Sequence, residues 1–347
     1  ASRWPKRCSP MAEGGPNLFA LPPGVDFAAE VLSGLEARLA AAAQRDDTAW
    51  DLSGFPDVAA GADGTLPAVP DPLALSRVRI FVNTERARRR MQALLLDRAV
   101  HLPPRIHVLA ELPGGMPGLP ALLPPLRRRL ELARLVRALI EAAPDLGAPT
   151  AAWDMADSLA ALLGELQMEG IGIDAVTGLD APDAAGHWQR SLQFLRLIRD
   201  VLEGDGALDA EARLRLSVDR LAAEWAQAPP RDPVLVAGST GSRGAVADFM
   251  ALVAGQHRGA VILPGLDTAL GPDDWAELSA PDHTADHPQF GLAALCGKLG
   301  TPPGTLPRWT RAEPPAPARN RVLSLALRPA PVTDQWLARG PALRPEL

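Results

Sequence analysis

Three stretches of this chain carry residues whose types and spacing could do chemistry. The first is Gly238-x-x-Gly241-x-x-Gly244, between an apolar run at 233–237 and a helical pattern at 245–254. Strand, glycine turn and helix in that order let a pyrophosphate approach a helix N-terminus, and the chemistry would be hydride transfer with a nicotinamide cofactor, as in an NAD(P)-dependent oxidoreductase. No acidic residue closes the following strand, where Leu263-Pro264-Gly265 stands, and the chain has no tyrosine to serve as a general base. The same glycines also suit a tight turn that needs small residues. The second stretch is Pro22-Pro23-Gly24-Val25-Asp26-Phe27, after the first apolar run. A P-loop at that place needs glycine amides, a lysine for the β- and γ-phosphates and a hydroxyl for Mg²⁺. Here two prolines remove N–H donors, and Asp26 puts negative charge where phosphate would sit. This is a degenerate P-loop, and a structural turn is expected. The third is His283 and His287, four apart in a segment broken by Pro288, with no third ligand in view; a solvated loop is expected rather than zinc. Ser239, Thr240 and Ser242 have no histidine that spacing pairs with them, so a hydrolase triad is unsupported. The arginine groups 86–90 and 127–129 could meet phosphate or line the wet side of a helix.

The elements that must position these residues follow from periodicity. Short apolar runs at 17–21, 77–82 and 105–109 predict strands. Asp26 is a good N-cap, and Phe27, Val31, Leu35 and Leu39 repeat down one helical face. Thr84 caps a second helix with Ala87, Met91, Leu94 and Leu95 on one side. Residues 46–76, rich in Gly, Pro and Asp, read as a loop. Between 120 and 230 helical periodicity takes over, with helices expected at 126–140, 150–169, 187–202 and 209–228. Strand patterns return at 233–237 and 259–263, and 320–327 looks helical. Strand–helix alternation with short strands predicts an α/β fold on a parallel sheet, interrupted by a helical insertion. The expected parts are a disordered or artefactual terminus at 1–16 (with Met11 a candidate start), α/β at 17–119, the insertion at 120–230, the remaining α/β at 231–270, and a loop and helical segment at 271–347. The last residues, 341–347, give no sign of a completed fold.

The 347 residues carry a formal net charge of −6, which argues against strong autonomous DNA binding but not against forming part of a DNA channel. Basic residues are almost all arginine; Lys6 and Lys298 are the lysines. Two cysteines, Cys8 and Cys296, are too few for a disulfide framework or a four-cysteine iron–sulfur site, and a reduced cytoplasm is expected. No apolar run approaches a membrane span, so no membrane partner is expected.

Several blocks together resemble the alphaproteobacterial type of AddB, a subunit of the AddAB helicase–nuclease of double-strand break repair. They include Leu21-Pro22-Pro23-Gly24-Val25, Ile80-Phe81-Val82-Asn83-Thr84, Leu102-Pro103-Pro104-Arg105-Ile106 and His187-Trp188-Gln189. Further along come Pro233-Val234-Leu235-Val236-Ala237-Gly238-Ser239-Thr240-Gly241-Ser242, Ile262-Leu263-Pro264-Gly265-Leu266-Asp267 and His287-Pro288-Gln289-Phe290-Gly291-Leu292. Their order and spacing across residues 17–336 carry the resemblance. It implies a degenerate RecA-like, P-loop-helicase-like domain, an AddA-type helicase–nuclease as partner, and DNA ends or single strands as ligand. It places Asn83, Thr84, Arg88, Gly238, Ser239, Thr240 and Arg243 in loops equivalent to helicase motifs, expected to contact DNA or another domain. The family's carboxyl-terminal nuclease domain, with its Mg site and iron–sulfur cluster, has no counterpart here. No catalytic residue, nucleotide site, metal or cofactor is therefore expected in this stretch. A purely structural assembly module remains the alternative that never touches nucleic acid.

Overall fold

The computed structural model describes residues 15–44, 73–98, 102–142, 144, 147–177, 207–280 and 286–343. Five strands, β1 (Leu18–Ala20), β2 (Arg79–Val82), β3 (Arg105–Val108), β4 (Val234–Ala237) and β5 (Gly259–Leu263), make one sheet in the order β1-β5-β4-β2-β3. Every pairing is parallel. The helices are α1 (Phe27–Gln44), α2 (Ala74–Arg77), α3 (Glu85–Asp97), α4 (Pro125–Ala142), α5 (Ala152–Glu169), α6 (Ile173–Thr177), α7 (Ala210–Gln227), α8 (Gly244–Ala254), α9 (Pro272–Leu278), α10 (Phe290–Lys298), α11 (Pro317–Ala326) and α12 (Gln335–Leu343). Among the described residues, no helix is long and apolar enough to cross a membrane.

The sequence of each strand explains its place. β4 and β5 carry no polar side chain and are buried throughout, as central strands covered on both faces must be. The register aligns Ile106, Ile80, Leu235 and Ala260 in one row, and Val108, Val82, Ala237, Ile262 and Phe19 in the next. These rows pack with Val31, Leu32, Leu35 and Leu39 of α1 and with Met91 and Leu95 of α3. The opposite face begins at Phe81, whose ring meets Phe249 of α8 edge-on at 5.1 Å and stacks on His107 at 5.5 Å. Trp225 of α7 closes against Phe249 at 6.3 Å.

Beyond β1, the chain at Pro307–Trp309 lies along the sheet margin. Ala20 donates its N–H to the Pro307 carbonyl at 3.0 Å, and Trp309 donates its own to Ala20 at 2.9 Å. The Trp309 indole is fully buried under α1, and its N–H donates to the Val31 carbonyl at 3.1 Å. Above it lies Arg38, also fully buried, its guanidinium carbon 3.7 Å from the indole centroid. The same guanidinium donates to the Gly34 and Trp309 carbonyls at 3.0 and 2.8 Å. Burial of a charge is tolerated only with such partners.

The chain divides into two compact units: Ala1–Leu109 with Ala222–Ser242 and Val246–Leu347, and Ala110–Leu221 with Arg243–Ala245. The second is helical. Leu132, Val136 and Ile140 of α4, at helical spacing, pack on Ala156, Leu159 and Leu163 of α5. Gly170 ends α5 in a left-handed cap at φ 67°. Arg128 grips Asp209 with both nitrogens, at 2.5–3.0 Å, ahead of α7.

Most elements lie within one to three residues of their expected bounds. Two departures have simple causes. The last expected helix starts at Pro317 rather than 320, because proline suits the first helical position. Within the stretch read as loop at 46–76, Ala74–Arg77 form a helical turn whose Ala74 and Leu75 are buried against the main core. Residues 46–72 of that loop, the helix expected at 187–202 and the terminus at 1–14 lie outside the described residues.

Candidate functional site at the carboxyl edge of the sheet

In an open parallel sheet, ligands bind where the strand order reverses, beyond the carboxyl ends of the strands. Here the reversal falls between β2 and β4: the chain leaves β2 toward β3 and leaves β4 toward β5. The loops that meet there are Asn83-Thr84 and Gly238-Ser239-Thr240. Asn83 Oδ1 lies 3.5 Å from the point where a Cβ on Gly238 would stand, and Gly238 has φ 82°, a conformation that favours glycine. Asn83 and Thr84 are exposed.

Thr84 Oγ1 accepts the Ala87 N–H at 3.2 Å, so it acts as the expected N-cap of α3. Arg88, one turn into α3, is held by Glu85 at 2.7 Å. Ser239 is buried, and its Oγ accepts the Gly241 N–H at 3.2 Å. Thr240 borders Gly291. The structure thus brings together Asn83, Thr84, Gly238, Ser239 and Thr240. Arg243 falls in the other compact unit. These groups can hold a polar ligand through amide, hydroxyl and backbone contacts. None of these five residues is of a type that serves as a general base.

The turn at Pro22-Pro23-Gly24 is closed by the protein's own groups. Gly24 turns the chain at φ 93°, and a Cβ there would sit 3.4 Å from Pro314. Asn320 Nδ2 donates to the Pro23 carbonyl at 2.7 Å. Asp26 Oδ1 accepts the Ala29 N–H at 3.2 Å, and Oδ2 accepts from Arg90 at 2.7 Å. The Arg90 hydrogen bond holds the Asp26 carboxyl below its ordinary range, so the N-terminus of α1 already has its anion.

The glycine turn is filled likewise. A Cβ on Gly238 would lie 3.2 Å from the Phe27 ring, and one on Gly241 only 2.9 Å from Leu295. Gly241 has φ 64°. The Gly244 N–H donates to Glu169 Oε1 at 2.7 Å, both residues belonging to the helical unit. A pyrophosphate approaching Gly238 and Gly241 would meet two apolar side chains. The close packing at Gly238 and Gly241 is what a tight turn needing small residues requires.

His287 uses both ring nitrogens on backbone: Nε2 lies 2.6 Å from the Leu327 carbonyl and Nδ1 accepts the Gln289 N–H at 3.1 Å. Its proposed zinc-binding mate, His283, lies outside the described residues. The arginine groups are largely engaged as well. Arg89 pairs with Glu85 at 3.0 Å, Arg127 with Glu131 and Arg129 with Asp157 at 2.7 Å. Such exposed pairs are weak and exchange partners readily, whereas the half-buried Arg128–Asp209 pair is structural. Cys296 is buried, and desolvation pushes its thiol up to about 12, leaving it unreactive.

Sequence reasoning missed Asn320, Pro314 and Leu295, the groups that fill the two turns, and Glu169, which accepts the Gly244 N–H within the helical unit. Each lies dozens of residues or more from the turn it closes, and no local pattern marks them. Comparison with protein-family models finds no match to this chain, and comparison with curated proteins finds no significant match.

Proposed function

We propose that this chain is an inactivated helicase-like scaffold of an AddB-type DNA-repair subunit, which assembles with an AddA-type motor and guides single-stranded DNA without hydrolysing nucleotide itself. The observation that carries this reading is the contrast along one sheet edge. The turn where triphosphate would sit is closed by Asp26, Asn320 and Pro314, while the exposed Asn83-Thr84 loop beside Gly238 stays available at the strand-order reversal. The all-parallel sheet supports a RecA-like origin, as does the helical stretch between β3 and β4. Loss of nucleotide chemistry with retention of the polar loops is the pattern expected of a domain kept for guidance.

The oxidoreductase alternative would have to displace Phe27 and Leu295 from the turn at Gly238 and Gly241. An assembly module that never touches nucleic acid is the reading that takes over if the polar edge is idle. The test is a complex of this chain with an AddA-type subunit, titrated with a fluorescent oligothymidylate. Asn83→Glu and Thr240→Glu place carboxylates at the proposed phosphate path, and affinity should fall about tenfold, more steeply at low salt. Unchanged affinity in both variants, with the complex intact, refutes DNA guidance by this edge. Quenching of NADPH fluorescence by the isolated chain would instead favour the oxidoreductase.

A further inference from the structure

The helix pair α11 and α12 carries a surface that the proposed function does not use. Four large apolar side chains are exposed within fifteen positions: Leu323 (47%), Leu327 (49%), Trp336 (48%) and Leu337 (86%). The same two helices bound a groove of about 330 Å³ lined by Val322, Leu325, Ala326, Trp336 and Gly340, so Trp336 belongs to both the exposed set and the groove. Isolated exposed leucines need no explanation, but several on the two helices that also bound an apolar-lined groove point to an interaction site.

The platform beneath is rigid. Arg328, buried behind the pair, donates to Ser324 Oγ and Gln335 Oε1 at 3.1 Å and to the Ala269 carbonyl at 2.9 Å, and faces Asp274 at 3.4 Å. Gln335 in turn donates to Asp274 at 2.7 Å. The indole of Trp336 donates to the Leu325 carbonyl at 2.6 Å, which fixes the ring at the groove wall. A groove whose walls are held this way does not collapse to hide its apolar lining.

Charge identifies the occupant. Neither α11 nor α12 contains an acidic residue, and both contribute arginines. Arg319 stands one turn before Val322, and Arg339 is three residues after Trp336 and next to Gly340. Both are exposed and make no ion pair among the described residues. Of the carboxylates near these helices in sequence, Asp334 just precedes α12, at the end away from Arg339, and Glu313 is paired with Arg308 at 2.6 Å.

We propose that this groove is the docking site for an amphipathic helix of another protein, with apolar anchors at i, i+4 and i+7 and carboxylates along its flanks. The anchors would seat between Val322 and Trp336, and the carboxylates would meet Arg319 and Arg339.

The test uses the whole chain and two fluorescein-labelled peptides of about 18 residues, long enough for five helical turns. Both carry leucines at the anchor spacing; one has glutamates on its flanks, the other lysines. Anisotropy should show the glutamate peptide binding at least tenfold more tightly, with the gap narrowing as salt is raised. Leu337→Ser should abolish binding, and Arg319→Glu with Arg339→Glu should reverse the preference toward the lysine peptide. These side chains are exposed, so circular dichroism should show all variants folded. Equal binding of both peptides, or indifference to the arginine reversals, overturns the proposal. So does sedimentation equilibrium showing wild-type dimers that Leu337→Ser dissociates, because the occupant would then be a second copy of this chain.

Discussion

Gly34 lies in the interior of α1, where glycine costs about 1 kcal/mol relative to alanine. A Cβ at that position would stand 2.3 Å from the Trp309 indole nitrogen and 2.6 Å from its neighbouring ring carbon. The glycine is therefore a recess for the tryptophan, and the two residues should be strongly coupled. Gly34→Ala alone must push aside a fully buried ring, an overpacking cost of about 1–3 kcal/mol. It also endangers the indole hydrogen bond to Val31, about 1 kcal/mol, against a helix-propensity gain of about 1 kcal/mol. The net expectation is a loss of about 1–3 kcal/mol. Trp309→Ala alone should cost about 3–5 kcal/mol. In the Trp309→Ala background the clash is gone and only the propensity term remains, so Gly34→Ala should there stabilise by about 1 kcal/mol. Urea unfolding of the four proteins, followed by far-ultraviolet circular dichroism, gives the cycle. A sign reversal is the prediction. Simple additivity of the two single losses would refute the packing of Pro307–Trp309 under α1.

Further outcomes follow from the two closed turns and the buried network. Val25→Lys combined with Asp26→Thr restores the missing P-loop chemistry on paper, yet ATP hydrolysis should stay at background, because Asn320 and Pro314 still occupy the turn; turnover by the purified variant would overturn that. The folded carboxyl of Asp26 lies below its ordinary 3.8, so its contribution is present above that value and is lost as pH falls through the lower folded one. Asp26→Ala should thus cost about 0.5–1.5 kcal/mol near neutral pH and progressively less below pH about 4, as read by thermal unfolding across pH. Gly241→Ala should destabilise by about 1–3 kcal/mol, and adding Leu295→Ala should relieve the 2.9 Å contact but not the strain of φ 64°. Arg328→Ala should cost about 3–5 kcal/mol in urea titrations by leaving Asp274 buried without its cation.

Local signals made much of the sheet and its helices legible. The short, wholly apolar runs at β4 and β5 signalled strands, and Thr84 marked its helix because a hydroxyl before a helical pattern caps it. The loop pairing at the strand-order reversal was legible only as separate blocks, because nothing in Asn83 or Gly238 reveals that they abut. The closures were hidden for a related reason. Asn320 reaches Pro23 across 297 positions, and Glu169 reaches Gly244 across 75. The partners of the arginine clusters were hidden in the same way: charge is visible in a sequence, but the carboxylate that pairs with it, such as Asp157 for Arg129, need not be near.

The two margins of the sheet have different fates. Beside β1, the unpaired amide and carbonyl of Ala20 are already satisfied by the chain at Pro307–Trp309, so no stranger can extend the ladder on that side. The other margin, β3, is four residues long, follows Pro103 and Pro104, and opens on an exposed arginine. A short, proline-led, charged border is a poor template for intermolecular zippering. Trp309 therefore also guards solubility: releasing it should bare a parallel-sheet rim, and the protein should become prone to fibrous self-association before it loses its helices.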